Sequence, residues 1–236
     1  MLEIRNLAFA YSRAPVLRDV SFVVSPGEVV VVVGGNGAGK TTLLRILATL
    51  AVPDAGLVLA DGDNAFERPL RYRRQLGYMP ENPALYEDMT VKEYLAYRAS
   101  LKGEPAKRVR RRISEASEMC QIDGLLRSSI GRLSFGQRKR VALADAILLR
   151  PRVLLLDDFL SGLDTSMRDA AGSVLSEAAS FSSVIVAGHE ISDLVKCATR
   201  FLVLRDGVIS TSIEAAGVSA DELERRVRAA LAGGVP

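Results

Sequence analysis

Residues 29–33 are an unbroken run of valines, and residues 153–156 and 184–187 are similarly continuous β-branched and aliphatic stretches. A strand that is apolar on both sides must be covered on both faces, so these three runs predict parallel strands in the middle of a sheet. They end in Gly34, Asp157 and Gly188. Ligands of open α/β sheets bind beyond the carboxyl ends of the strands, so these three ends are expected to share one crevice. Residues 2–9 and 16–24 differ in mixing polar with apolar positions, and they are bounded by Ser12 to Pro15 and by the turn Ser25-Pro26-Gly27. That pattern predicts partly exposed antiparallel strands.

Between the valine run and the second aliphatic run the period changes. Thr90 and Glu93 have capping-box spacing; Val91, Tyr94, Leu95 and Leu101 then suggest an apolar helical face, and Gly103 a stop. A second helix is predicted over 106–120 and a third helical segment around 125–133. Residues 88–150 thus form an inserted helical subdomain within one domain spanning 1–236. Its basic run, Lys107, Arg108 and Arg110 to Arg112, is read as a solvated helix face rather than a contact for acidic lipid. A short helical tail over 212–236 carries a second capping box, Ser219 and Glu222, then Leu223, Val227 and Leu231 at helical spacing, and frays at Gly233-Gly234.

Composition narrows the function classes. With 236 residues, 48% hydrophobic and 25% charged, the chain can bury a core of its own. Trp is absent and aromatics are 6%, which argues against a stacking surface for single-stranded nucleic acid. Cys120, Cys197 and the sole histidine, His189, cannot supply a disulfide framework or a Cys/His metal site, and imply a reducing compartment. A net charge of +3 demands no polyanionic partner, so no nucleic acid is expected. Neither a secretory leader nor a long apolar span is evident, so any membrane role should come through a partner.

The strongest chemical signal is Gly34-Gly35-Asn36-Gly37-Ala38-Gly39-Lys40-Thr41, which fits G-x-x-x-x-G-K-[ST] and sits between a predicted strand and a helical run that begins at Thr42 and extends over 42–50. Four glycines free the backbone to aim N–H groups at phosphate oxygens, and the following helix adds its positive end. Lys40 is then placed for the β and γ phosphates and the Thr41 hydroxyl for Mg²⁺. The second signal is Asp157-Asp158 at the end of an aliphatic strand: Asp157 to hold Mg²⁺, Asp158 to orient or deprotonate a water.

With these two motifs in place, the sequence resembles the ATP-binding subunit of an ABC transporter. Leu133-Ser134-Phe135-Gly136-Gln137, followed by Arg138-Lys139-Arg140-Val141-Ala142-Leu143-Ala144, is similar to the family signature, Ser161-Gly162-Leu163-Asp164 to its D-loop, and Gly188-His189-Glu190 to its switch histidine. Tyr11 occupies the position of the aromatic that stacks on adenine. The resemblance covers essentially the whole chain. It implies an α/β fold, a P-loop NTPase core with a mixed sheet, an N-terminal antiparallel β portion and the inserted helical subdomain. It also implies ATP and Mg²⁺, and a head-to-tail dimer in which each ATP lies between the phosphate loop of one subunit and Ser134 to Gln137 of the other, with Asp164 nearby. The start of the signature helix would offer an anion site to the γ-phosphate, which ADP lacks.

Three positions depart from the family pattern. Glu81 stands where glutamine is usual, at the hinge before the helical subdomain; it can still ligate Mg²⁺ but adds negative charge. Phe135 stands where glycine is commonest. Asp158 stands where glutamate is usual, one methylene shorter, and a displacement of about 1 Å can cost on the order of a hundredfold in rate. The resemblance places catalytic roles on Asp158, His189 and Glu81, and the short Asp158 makes slow turnover the expectation. The segment 76–81, with Leu85-Tyr86 and Met89-Thr90-Val91, resembles ABC-2 type exporters more than importers, so the reading is export through a separate transmembrane permease. The subunit would sit at the cytoplasmic face of the membrane, as a homodimer or a heterodimer with a paralogue. The alternatives are a soluble ABC ATPase clamp and a slow, nucleotide-gated regulatory subunit.

Overall fold

The computed structural model describes residues 1–163 and 165–233. The chain opens with β1 (Leu2–Tyr11) and β2 (Ala14–Val24), then the buried β3 (Val29–Val33) and α1 (Lys40–Leu47). β4 (Ala55–Ala60), β5 (Asp63–Asn64), α2 (Pro69–Arg74) and β6 (Leu76–Met79) follow. The next stretch is helical: α3 (Val91–Leu101), α4 (Ala106–Met119), 3₁₀ turns at Asp123–Leu125 and Ile130–Arg132, and α5 (Phe135–Ile147). Strands and helices then alternate through β7 (Val153–Asp157), α6 (Thr165–Ala179), β8 (Ser183–Ala187), α7 (Ile191–Leu194), β9 (Arg200–Arg205), β10 (Val208–Glu214) and α8 (Ala220–Ala232).

Two sheets result. One has four strands in the order β2-β1-β4-β5, antiparallel throughout; the other has six in the order β10-β9-β3-β8-β7-β6, parallel except for the β9–β10 hairpin. The α/β class with a mixed sheet and an antiparallel β portion is the one the sequence predicts. Because side chains alternate across a strand, the valine run feeds two cores at once. Val30 and Val32 pack towards α1 and the antiparallel sheet, with Leu155 and Ile185. Val29, Val31 and Val33 pack on the opposite face with Leu154, Leu156 and Val186, against the helices. Fully burying such a side chain is worth about 1.5–3 kcal/mol, so the run can be stable only in the centre of the sheet. Three strand ends there, at Val33, Asp157 and Ala187, rise to the same edge.

The helical stretch is tied to the core by polar contacts made from α3. The Thr90–Glu93 capping box is complete. Further along, the Tyr94 hydroxyl and Arg98 both donate to the buried carboxylate of Asp145 on α5, and Lys102 donates to the Leu76 carbonyl at the start of β6. β6 itself lies hard against α5: a Cβ on Gly77 would stand 2.1 Å from the Ala146 carbonyl oxygen.

Several local expectations are corrected. Leu101 is exposed, and Ala99 takes its place on the buried face of α3. The segment 125–133 is built from 3₁₀ turns rather than a helix. The helix after the phosphate loop begins at Lys40 and ends at Leu47, short of the expected 42–50, with Leu50 exposed. Only half of the Ser219–Glu222 box forms: the Ser219 hydroxyl accepts from the Glu222 N–H, but the Glu222 carboxylate turns to Arg225 and Arg226. The expected helical tail over 212–236 begins late, since β10 runs to Glu214 and α8 starts at Ala220; Gly233 closes α8 in the left-handed region rather than fraying, and Gly234 lies outside the described residues. Among the described residues no helix is long and apolar enough to cross a membrane.

Candidate functional site

The shared crevice exists. An open cleft of about 420 Å³ is lined by Tyr11, Val16, Asn36 to Thr42, Glu81, Asp157, Asp158 and Ala187 to His189. One wall is the loop between β3 and α1. Of its four glycines only Gly37 and Gly39 have positive φ, at 80° and 103°, the region in which other residues are strained. Gly34 serves close approach instead, since a Cβ there would lie 2.4 Å from the Leu204 carbonyl oxygen on β9. The Lys40 ammonium reaches back across the loop, donating to the carbonyls of Gly34 at 2.8 Å and Gly35 at 3.1 Å. Partial burial lowers its pKa, opposed by the charges of Asp157 and Asp158 across the cleft. Two of its three donors thus hold the loop closed, and the ammonium stays at the mouth of the cleft.

The opposite wall is the sheet edge. Thr41 Oγ1 donates to Asp157 Oδ1 at 3.3 Å, joining α1 to the end of β7. The other carboxylate oxygen of Asp157 is buried and meets no hydrogen-bond donor. Burial pushes the Asp157 carboxyl above the usual carboxylate range; the Thr41 hydrogen bond is the largest opposing influence, while Glu81 and Asp158 reinforce the rise. A buried, underused carboxylate oxygen beside a hydroxyl and a second carboxylate, Glu81, forms an all-oxygen donor set, which is the chemistry a hard divalent cation such as Mg²⁺ takes. The residues fit that ion.

Asp158 takes a left-handed conformation, φ 47°, and its backbone N–H donates to the Ala187 carbonyl at 2.8 Å. Its Oδ1 lies 3.1 Å from His189 Nδ1, and the same ring's Nε2 lies 3.4 Å from Glu190 Oε1. The exposed imidazole thus lies between two carboxylates, while Asp158 Oδ1, like Asp157 Oδ2, is buried without a hydrogen-bond donor.

Ser134 to Gln137 contribute nothing to the lining of this cleft. They form the start of α5, where a complete capping box joins Ser134 and Gln137. Phe135 is more than half exposed, and its ring covers Gly162, so closely that a Cβ there would lie 2.3 Å from Phe135 Cε1. Tyr11 is also exposed, lining the cleft with its ring edge-on to Phe9 at 4.8 Å. Asp164 lies outside the described residues. The sequence assigns no role to Val16, which lines the cleft, or to Lys139, which falls in the continuation of the signature stretch and whose ammonium donates to the Asp158 carbonyl at 2.8 Å. The signal for Lys139 was its i+4 spacing between Phe135 and the buried Leu143, which puts all three on one row of the helix.

Comparison with known proteins points one way. The model of the family described as "ABC transporter" matches residues 17–161. The chain is 36% identical to the sulfate/thiosulfate import ATP-binding protein CysA of Methylococcus capsulatus over 94% of its own length and 64% of that protein's, so it spans less than two thirds of that relative. It is 32% identical to the uncharacterized ABC transporter ATP-binding protein YxlF of Bacillus subtilis, over 89% of its length and 70% of that relative's. A solved structure described as an ATP-binding subunit of an ABC transporter superposes with a TM-score of 0.87 and 28% identity, covering 97% of this chain and 99% of that one.

Proposed function

The chain belongs to the ABC transporter family, and from that membership we propose that it is the ATP-binding, ATP-hydrolysing subunit of a transporter. In this reading it pairs with a second such subunit, identical or paralogous, and docks on a separate transmembrane permease at the cytoplasmic face of the membrane. The observation that carries the proposal is the facing of two walls across one cleft: a glycine loop opening into α1 with Lys40 at its mouth, and opposite it Asp157, Asp158, Glu81 and His189 at the sheet edge.

The residues divide the work by their chemistry. The N–H groups of residues 34–41 and the positive end of α1 receive phosphate oxygens, and Lys40 adds a point charge. Tyr11 offers a ring face to the base at the open side of the cleft. Thr41, Asp157 and Glu81 would hold Mg²⁺, which when bound offsets the negative charge of the triphosphate. Asp158 orients and deprotonates the attacking water, and His189, beside that carboxylate, faces the γ-phosphate. Ser134 to Gln137 lie away from their own cleft and serve the nucleotide of the opposite subunit, since the capping box occupies only the Ser134 and Gln137 amides and the positive end of α5 remains. The γ-phosphate then bridges two subunits, and its loss on hydrolysis releases them.

The expectation of export finds no support in the named relative that states a direction, which is an importer. The proposal is accordingly transport driven by ATP, with direction set by the permease. A second reading, a slow nucleotide-gated subunit, is favoured by one observation: the carboxylate after Asp157 is the short Asp158. Copurification of the chain with its membrane partner, followed by ATPase and vesicle transport assays, separates the two. ATP-dependent substrate movement supports the transporter; nucleotide binding without turnover in the intact complex supports the gate.

A further inference from the structure

A lysine that is 1% exposed is unusual, because an ammonium without water must find partners or give up its proton. Lys139 lies on α5, one turn after Phe135, and its Nζ is 5.7 Å from the centre of the Phe135 ring. Its hydrogen bond leaves the helix altogether and ends on the main-chain carbonyl of Asp158, 19 residues away in sequence, at 2.8 Å. Burial pulls Lys139 towards its neutral form, and Asp158, Glu81, Asp157 and Glu190 all oppose that pull.

The acceptor is what gives this bond a consequence. Asp158 is a non-glycine residue at φ 47°, a conformation that persists only where the surroundings over-determine it. Two backbone contacts do so here: the Asp158 N–H is held by the Ala187 carbonyl on one side, and its C=O by Lys139 on the other. Between these two anchors the only freedom left to the residue is in its side chain, whose carboxylate stands 3.1 Å from His189 Nδ1.

We propose that Lys139 is a positioning residue for ATP hydrolysis: by holding the Asp158 carbonyl it fixes the direction in which the Asp158 carboxylate enters the cleft. This rests on the reading of Asp158 as the base that activates water. Lys139 does not line the cleft; it acts through Asp158. It also joins the start of α5 and the acidic wall of the cleft into one packed unit, because the Phe135 ring beside it covers Gly162 in the loop that follows β7.

The test uses the full chain, with kcat from ATPase assays and ATP affinity from calorimetry, on Lys139→Met, Asp158→Asn and the double variant. Lys139→Met keeps the length of the side chain and removes the donor. It should lower kcat by roughly tenfold or more while leaving ATP affinity within about twofold, since a loosened base costs rate and not binding. In the Asp158→Asn background, followed by single turnover, adding Lys139→Met should change the residual rate little, because residues acting as one unit are not additive. If Lys139→Met fails to fold, Lys139→Leu, which also lacks a donor, carries the same comparison. Unchanged kcat in the lysine variant, with Asp158→Asn inactive, overturns the inference alone. An equal further loss in the double variant also overturns it, showing that Lys139 acts elsewhere. Full turnover in Asp158→Asn removes the base assignment and takes the inference with it.

Discussion

His189 Nδ1 stands 3.1 Å from Asp158 Oδ1, so the end of β8 and the end of β7 present one paired group to the cleft rather than two separate side chains. The pairing depends on adjacency of the two strands in the sheet. Asp157 lies opposite Ala187 in the parallel register, and one and two residues on the chain delivers Asp158 and His189 to the same edge.

Nucleotide affinity should divide between Lys40 and Tyr11. Lys40 spans the Gly34 and Gly35 carbonyls and presents the charge, so Lys40→Ala removes both a loop brace and a phosphate contact. Binding of MgATP by calorimetry should be nearly abolished. Tyr11 offers only a ring face, worth on the order of 1 kcal/mol or somewhat more, so Tyr11→Ala should weaken ATP and GTP alike by roughly tenfold. Unchanged ATP affinity in Lys40→Ala would remove the phosphate-loop reading.

Asp157 should cost the nucleotide-free protein stability. Its carboxyl is pushed above the usual range because burial strips water from the ionised form. A group with a raised folded pKa favours folding when protonated, and that contribution is lost as pH rises through the folded value. Asp157→Asn should therefore raise Tm at pH 7.5 by about 2–4 °C, the shift that about 1 kcal/mol produces in a domain of this size. The advantage should shrink towards zero near pH 4, as the wild-type carboxyl takes up its proton, while MgATP binding is impaired throughout. A gain that held constant down to pH 4 would belong to packing and not to charge.

How much of this was legible in sequence follows the physics. The buried strands were visible because continuous β-branched runs have one stable home, and the phosphate loop because its glycines and lysine recur at fixed spacing. β4, β6, β9 and β10 were not singled out: Gly56 and Gly77 interrupt two of them, and arginines bound β9 at both ends. Their identity as strands depends on neighbours remote in sequence. The cleft residues Asp157, Asp158 and His189 were legible as strand-end groups. Lys139 was legible only through its place on the row Phe135–Lys139–Leu143; its partner, a loop carbonyl 19 residues away, has no mark in the local sequence.

Dimerisation should require ATP and not ADP. Ser134 to Gln137 lie outside their own cleft at a capped helix start, with Phe135 exposed beside them. Asp158→Asn, which keeps the triphosphate intact, should double its mass by light scattering at saturating MgATP and stay monomeric with MgADP. A variant that remained monomeric with MgATP would refute a self-sufficient homodimer and favour a paralogous partner.

The last expectation concerns the length of the side chain at position 158. Its backbone is pinned at the Ala187 and Lys139 contacts, so lengthening the side chain cannot be absorbed by moving the main chain away. The aspartate carboxylate reaches only as far as the His189 ring. A glutamate rooted at the same point would carry its carboxylate one methylene further into the cleft, towards the water it must activate, and near-attack geometry is sensitive to shifts of about 1 Å. Asp158→Glu should thus raise kcat by roughly tenfold or more, about 1.4 kcal/mol of barrier, with ATP affinity unchanged. The competing arrangement is one in which Glu81, which lines the same cleft, already holds the water close to Asp158. There the longer chain would collide with the water's site and the rate would fall. Measured kcat in Asp158→Glu decides between them: a rise marks the native aspartate as a brake on turnover, and a fall with intact binding marks a cleft built around the shorter acid.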